Sequence, residues 1–510
     1  MSEKAILAID EGTTGTRAAL VTETGEVRHL TYRPLTLQHP VAGVVEQDFD
    51  EIWIETRDAA RAVLAHAAAE GVEVVATAIA VQRSSAVLWD AESGRPIGLG
   101  MVWQDTRYAE ELGDLASVWN PRLQSVTGRV AGVRSPYLWA AHRVREDAQV
   151  AAAYRRGALR FGTVDTWLTW NLTGGRRNVT SATNVVACGG YDLAAGIYFD
   201  DWIAATGLPT DLLPELVDDG GELAHTDPDV LGIRVPIRAV IGDQHAALLG
   251  LGCLAPSEGT CIHGTGSFVD QVISSDLVMP ATTPDAVVRH IAWKRGGPVL
   301  ALENYTATTG SALQWACDEL AWFSSPQEIS ALAGKQPLWS RPVPAFAPTL
   351  TGVRLPRVET RVRGTLTGLN LATTRVDLAQ GMLEGIAQCV ARSVDANRSI
   401  AGTAPHSVRV GGGLSLSDPL VQLQADLTGL PMLRYWDTDK ATVRGAAFLA
   451  GLDLIWGSLA EAVATLHVPE VFEPQITEDE RRTRIHAWRS VIDAELAELD
   501  HNRLQSSSER

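Results

Sequence analysis

Cysteine is scarce in this chain: Cys188, Cys253, Cys261, Cys317 and Cys389 are the only five in 510 residues, and no two form a CxxC pair. That spacing points neither to a zinc site nor to a disulfide framework. Positive charge is short as well. Lys and Arg number 43 against 61 Asp and Glu, a net charge of -18, which disfavours nucleic acid or an anionic membrane as partner. No uninterrupted apolar stretch approaches the ~20 residues that span a bilayer. The opening MSEKAILAID reaches an aspartate too soon for a secretory signal, so a cytoplasmic protein is expected. Two nucleotide signatures are also missing. There is no GxxxxGK(S/T), and no strand runs into GxGxxG, so neither a P-loop nor a Rossmann site is supported. An acidic chain that binds an anion must then do so locally, with backbone amides, a few cations or a bridging metal.

What is present is ordinary globular material, 45% hydrophobic and 20% charged, and long enough for two or more domains with ample core. Apolar runs at 5–10 and 17–22 read as strands, followed by a helix near 50–70 and a buried strand at VEVVATAIAV. Strand-helix alternation continues through RFGTVDTWLTWNLTG and VPIRAVIGDQHAALLGLG, the pattern of α/β layers. TCIHGTGSFVDQVIS then repeats the plan of the opening (strand, Gly-Thr-Gly turn, strand), which suggests a duplication. Helices are expected around 307–322 and at 375–398, with a Pro-rich connector, PVPAFAPTLTGVRLP, between them, and a strand-turn-helix at VRVGGGLSLSDPLVQLQADL. Ile485, Trp488, Ile492, Leu496 and Leu499 mark a final amphipathic helix, with Thr477 and Glu480 spaced as a capping box. The terminal QSSSER is expected to fray.

Three glycine turns, at 12–15, 264–266 and 411–413, could each be a phosphate nest, in which converging amides and threonine hydroxyls hold oxygens. Each taken alone is more simply a tight turn. Taken together, they describe a nucleotide held between hairpin turns from two halves.

That layout resembles the actin-like ATPases and, within them, the FGGY carbohydrate kinases, the glycerol kinases most of all. The resemblance runs from about Ile6 to about Trp488 and rests on IDEGTTGTR, FGTVDTWLTWNLTGG, IGDQHAALLG, GTGSF, GSALQW, RGTLTGLNL with LAQGMLEGIA, and VGGGLSLSDPL. It implies two actin-like (ribonuclease H-like) α/β domains, residues 1–250 and 251–510, with a cleft between them. It further implies a kinase using ATP and Mg2+ to phosphorylate a primary hydroxyl of a small polyol or sugar. Thr13, Thr14 and neighbouring amides, Gly15 among them, would hold the terminal phosphates. Arg17 would add positive charge, Thr265 would approach from the other half, and Asp10 would face the metal through water, as would Asp243. Gly310, Gln314 and Gly413 match adenine-side positions, as does Ser417, where glycerol kinases often carry Asn.

Phosphoryl transfer to an alcohol needs a carboxylate to accept the hydroxyl proton. Asp243, where a buried strand meets a helix in IGDQ, has the position of a helix N-cap, but by resemblance it is the catalytic base, followed by Gln244 as a substrate ligand. Arg83, Trp103 and Phe268 complete the substrate side. Two positions depart from glycerol kinase: Ser84 stands where a glutamate accepts hydrogen bonds from glycerol, and Arg134 where an ungapped reading expects a tyrosine, with Tyr137 nearby only if the loop shifts. A C4 or C5 polyol or ketose is therefore the alternative to glycerol. The alternative of another class is a non-kinase actin-like ATPase, which would have no use for a polyol pocket at Arg83, Trp103, Asp243 and Gln244. A homo-oligomer, dimer or tetramer, is expected, with a small molecule as the acceptor.

Overall fold

Lys4–Glu11 (β1) has only its first residue exposed. A strand buried on both faces is the signature of a sheet covered by helices on either side. The computed structural model describes residues 2–280 and 282–508, with 502–508 as backbone only. It divides into two compact units. The first comprises residues up to 254 together with 289–301 and 440–466; the second comprises 255–288, 302–439 and 467 onward. No helix among the described residues is long and apolar enough to cross a membrane.

In the first unit β1 turns back antiparallel into β2 (Gly15–Thr22), which pairs with β3 (Val27–Pro34). The helix α1 (Phe49–Glu70) starts on the Asp48 side chain, which accepts from the Asp50 amide, and stops at Gly71 in the left-handed conformation, φ 70°. Its buried Phe49, Ile52, Thr56, Ala59, Ala60, Val63 and Ala67 form one helical stripe against the sheet. The chain then adds β4 (Glu73–Val81) parallel to β1, β5 (Gly220–His225), and β6 (Pro236–Gly242) parallel to β4, in the order β5-β6-β4-β1-β2-β3. The second unit repeats this plan. β7 (Gly259–His263) and β8 (Ser267–Ile273) form a hairpin, β9 (Val408–Gly412) lies parallel to β7, and β10 (Met432–Arg434) parallel to β9. Antiparallel β11 (Glu470–Phe472) closes the edge. The duplication suggested by two similar turns extends to hairpin, parallel neighbours and antiparallel edge.

The opening hairpin, the helix near 50–70 and the helix at 375–401 agree with the sequence reading. The helix expected over 307–322 is shorter, Gly310–Asp318 (α3). Thr309 is drawn onto the carbonyl of Thr265 at its start, and Ala321 adopts φ 52° beyond its end. The Pro-rich connector contains a strand, Ala345–Ala347, paired with Thr365–Thr367. The Thr477–Glu480 capping box is formed, Glu480 accepting from both the amide and the hydroxyl of Thr477 at 2.9 Å. Backbone helix persists through Ser508, and the last two residues of QSSSER lie outside the described residues.

Within the first unit, helix α2 (Asp243–Gly250) crosses the helix Ala441–Ala450 at backbone contact. A Cβ on Gly445 would stand 1.8 Å from the carbonyl oxygen of Ala246, and one on Gly250 1.9 Å from that of Ala441. Only glycine allows that approach, and overpacking of this kind costs about 1–3 kcal/mol. Gly445→Ala is therefore expected to lower the melting temperature of the first unit by several degrees in calorimetry. An unchanged transition would show that the helices can separate freely.

Candidate active site

Three parallel strands of the first unit end level with one another. Asp10 pairs with Ala80 and Glu11 with Val81, while Ile241 and Gly242 pair with the same two residues from the other side. The residues at and just beyond these strand ends are thereby brought together: Asp10 from β1, Arg83 and Ser84 after β4, and Asp243 after β6. The C-terminal edge of a parallel sheet is where open α/β folds place their ligands. Arg83 reaches Asp243, Nε to Oδ1 3.6 Å, and its Nη1 lies 3.2 Å from Nε2 of buried His245. Arginine can only donate, so His245 accepts. Burial and the neighbouring guanidinium hold that imidazole well below its ordinary pKa, so it stays neutral. Asp243 also accepts from the Gln244 amide at 2.8 Å.

The turn between β1 and β2 is closed by the Gly12 amide on the carbonyl of Gly15. Arg17 spans the hairpin to Asp10 at 3.3 Å. Gly15 is required here because a Cβ would meet the Tyr32 ring at 2.3 Å, and the Tyr32 hydroxyl in turn fixes the carbonyl of Thr14 at 3.0 Å. Thr13 is held from two sides. Its carbonyl accepts from Gln47, 2.7 Å, and its hydroxyl from the Trp103 indole, 2.8 Å. Trp103 thereby connects the first glycine turn to Arg134. Burial raises the Asp10 pKa to about 6, against Arg17, with a further upward push from Asp243.

On the other side of Trp103 lies Arg134, its guanidinium carbon 5.4 Å from the ring centroid. Ser84 is buried in a left-handed conformation, φ 64°, and donates to the carbonyl of Ala187 at 3.0 Å. Tyr137 brings its hydroxyl beside Gly190, next to the Ala187–Gly189 stretch of this wall. It begins a helix capped by Ser135, is 2% exposed, and packs against Phe161. Two residues that the sequence reading passed over belong here: His245, and Arg129, whose Nη1 donates to the same Ala187 carbonyl at 2.7 Å.

The second unit assembles its own group. The turn after β7 is closed by Gly264 donating to Gly266, and the Thr265 carbonyl accepts from the amides of Thr309 and Ser311 at the start of α3. Gly264, Thr265, Gly310, Ser311, Gln314, Trp315, Asp318 and Glu319 line a groove of about 510 Å³. Gly412 pairs with His263, which sets Gly413 at the same sheet edge. Ser417 is engaged elsewhere: it caps the next helix and accepts from the Ser330 hydroxyl at 2.7 Å. Phe268 stacks on Tyr305, centroids 5.1 Å apart.

Behind the first turn lies Glu11, fully buried, accepting from the hydroxyls of Thr16 and, at 2.8 Å, Thr56. Burial raises its pKa from 4.5 to about 8. Because the folded state holds this proton more tightly, the stabilising contribution is complete below about 4.5 and is lost as pH rises through about 8. Glu11→Gln keeps the shape and cannot ionise. Its unfolding free energy should therefore exceed the wild type's by a margin that widens from pH ~5 to pH ~9, reaching on the order of a few kcal/mol in denaturant titrations. A constant margin across that range would mean that Glu11 is already charged.

Comparison with known proteins gives this geometry its context. The FGGY family of carbohydrate kinases matches by its N-terminal domain over residues 5–250 and by its C-terminal domain over 259–454. The glycerol kinase of Dechloromonas aromatica is 33% identical over 503 residues, spanning 97% of this chain and 98% of its own. Among solved structures, the glycerol kinase of Plasmodium falciparum with ADP has a TM-score of 0.88 at 24% identity, covering 97% of this chain and 98% of its own. The xylulose kinase of Rhodospirillum rubrum has a TM-score of 0.81 at 23% identity, covering 98% and 100%. The fold is the two-domain actin-like one these kinases share. With both family domains matched in order and a third of its residues identical to a relative over nearly its whole length, this chain belongs to the FGGY family of carbohydrate kinases.

Proposed function

We propose that the chain transfers the γ-phosphoryl group of ATP to a primary hydroxyl of a polyol or sugar of four or five carbons, with Asp243 as the base. The observation that carries the choice of acceptor is the state of Ser84 and Arg134. The Ser84 hydroxyl is already given to the Ala187 carbonyl, and Arg134 lies over Trp103 where a phenol was expected. A hydrogen bond to a charged group contributes ~1.5–3 kcal/mol. Replacing a long carboxylate by this short, occupied hydroxyl therefore removes the main hold on glycerol.

In this reading the first domain, 1–250, carries the acceptor side and the first phosphate loop, and the second, 251–510, carries the adenosine side. Arg83 fixes Asp243 so that its carboxylate can receive the proton of the attacking hydroxyl, while His245 fixes Arg83. Trp103 and Phe268 give faces to the carbon chain, and Gln244, Arg134 and the Ser84 wall meet its oxygens. Thr13, Thr14, Gly15, Arg17 and Thr265 hold the phosphates; Gly310 and Gln314 in the groove, with Gly413 and Ser417, form the adenosine end.

The upward push of Asp243 on Asp10 means that the two carboxylates are within electrostatic reach, an all-oxygen donor set suited to Mg2+. When bound there through water, the ion would spread the charge of the terminal phosphates. Asp10 and Asp243 are the residues that would hold it.

Asp243→Asn should lower kcat by ~10²–10⁴ while nucleotide affinity stays within a few fold. A coupled ADP-release assay and calorimetric titration with a nonhydrolysable ATP analogue check the two halves of that statement, and a variant that keeps most of its activity would remove Asp243 from the base role. Ser84→Glu should shift kcat/KM toward glycerol and away from C4 and C5 acceptors, by ~10-fold or more. If the wild type already prefers glycerol over every C4 and C5 compound, the reading of this pocket fails.

A further inference from the structure

Five hydrogen bonds close a ring through the first glycine turn and Trp103. The Trp103 amide donates to the Ser85 hydroxyl at 3.1 Å, and that hydroxyl donates to Oε1 of Gln82, also at 3.1 Å. Nε2 of Gln82 donates to Oε1 of Gln47 at 3.0 Å, and Nε2 of Gln47 to the carbonyl of Thr13 at 2.7 Å. The Trp103 indole returns to the Thr13 hydroxyl at 2.8 Å. Backbone pairing brings these residues together. Glu46–Gln47 runs antiparallel to Gly100–Met101, Met101 lies opposite Ala86, and the Gln82 amide donates to the carbonyl of Glu11 at 2.7 Å. Gln47 and Gln82 are 1% exposed and Ser85 is 0% exposed, so the middle of the ring is shut off from water.

The ring can be wired in one sense only. A backbone amide and an indole N–H donate and never accept, and a backbone carbonyl only accepts. The Trp103 amide therefore leaves the single Ser85 hydrogen to Gln82, and the Thr13 carbonyl fixes which end of the Gln47 amide faces it. Turning either glutamine amide over would set oxygen against oxygen, at Thr13 for Gln47 and at Gln47 for Gln82. In a buried network a bond left unmade in this way is costly. The indole hydrogen is given to Oγ1 of Thr13, so the threonine's own hydrogen is spent outside the ring. The orientation of the Trp103 side chain thus sets the direction in which Thr13 can donate.

We propose that Gln47, Gln82 and Ser85 are positioning residues that lock Thr13 to Trp103 and so make the binding of acceptor and nucleotide cooperative. This rests on the kinase reading given above, in which Trp103 faces the acceptor's carbon chain and Thr13 a terminal phosphate. An acceptor lying against Trp103 fixes the side chain, and through the closed ring it fixes the Thr13 hydroxyl. The nucleotide then meets a donor whose ordering is already complete. By linkage the nucleotide favours the acceptor by the same factor. The three residues act through Thr13 and Trp103 and touch neither ligand.

Calorimetric titration of the full chain measures the coupling. A nonhydrolysable ATP analogue with Mg2+ is titrated with and without glycerol, erythritol, arabitol or xylulose near saturation. In the wild type the tightest-binding of these compounds should strengthen analogue binding by ~5-fold or more, and the analogue should strengthen its binding equally. Two variants break the ring in different ways. Gln82→Glu keeps the shape and the acceptor for Ser85 but loses the donor to Gln47. The pair Gln47→Met/Gln82→Met removes both amides together at similar volume, which spares the fold the unpaired partner that either single change would leave. In both, the coupling should fall below ~2-fold while each ligand alone binds within ~3-fold of wild type. The proposal is overturned if the wild type shows no coupling, if the coupling survives both variants, or if the variants weaken each ligand alone and leave the coupling intact. Stimulation of ADP release by the same compounds is read separately. Coupling lost in the variants, with no stimulated release in the wild type, would overturn the kinase reading and leave the ring standing; stimulated release with coupling that survives the variants would do the reverse. If none of the four compounds binds, both fall.

Discussion

The common register of β1, β4 and β6 is the constraint on which the rest of the first unit depends. Asp10, Arg83 and Asp243 are far apart in the chain and meet only because Asp10 and Ile241 both lie opposite Ala80. A slip by one residue would turn each of these side chains to the other face of the sheet. The slip is resisted by what lies behind the strand ends: Ile79, Val81, Ile9 and Val240 are all buried in one core with α1, so the apolar pattern that holds the sheet also aims the charges. The same constraint explains how buried Asp10 and half-buried Asp243 are held. Asp10 keeps Arg17 across the hairpin, and Asp243 keeps Arg83 from the neighbouring strand end. A partner for a buried charge need not be strong in net terms; losing it is what costs.

Much of this was legible in the residues. The two hairpins, the long helices at 49–70 and 375–401, and the positions of Asp10, Arg17 and Asp243 all carry strong local signals: apolar runs that stop at a charge, and turns rich in glycine. Short-range chemistry with a fixed geometry, such as the Thr477–Glu480 box, was equally readable. What escaped has a different origin. Arg129 sits in TGRV with nothing local to single it out, and its meaning comes from Ala187, 58 residues away. His245 looks like one more helical residue after Asp243 until Arg83, 162 residues distant, is set against it. The return of 440–466 to the first unit depends on glycines fitting a partner helix, and a sequence pattern marks glycines without naming what they fit.

Ser417 illustrates the opposite case, a residue whose local role is clear and whose distant one is not. Ser-Asp-Pro before an apolar run is a helix start, and that is where the structure has it, its hydroxyl near the Leu420 amide and accepting from Ser330. A hydroxyl that accepts twice in this way keeps its own hydrogen as what it can give a ligand. The groove residues Gly310 and Gln314 differ, since they line open space.

The duplicated hairpins finally separate what supports a turn from what makes it reactive. Glu11 lies opposite Thr16 in the first, and His263 opposite Ser267 in the second. Each is the last residue of its strand, buried, and bonded to the hydroxyl across from it; each has a second hydroxyl in the network, Thr56 in one and Thr309 in the other. Burial keeps both neutral by opposite routes, raising Glu11 to about 8 and lowering His263 to about 4. Their effects on stability are therefore opposed. Glu11 stabilises less as pH rises through about 8, whereas His263, which protonates more readily unfolded than folded, stabilises less as pH falls from 6.5 toward about 4. One residue earlier the copies part. Asp10 pairs with Arg17 in the first hairpin, while Ile262 pairs with Phe268 in the second. A neutral, hydroxyl-bonded buttress is thus common to both glycine turns and belongs to the fold, whereas the acid–guanidinium pair in front of it occurs in the first alone, within electrostatic reach of Asp243.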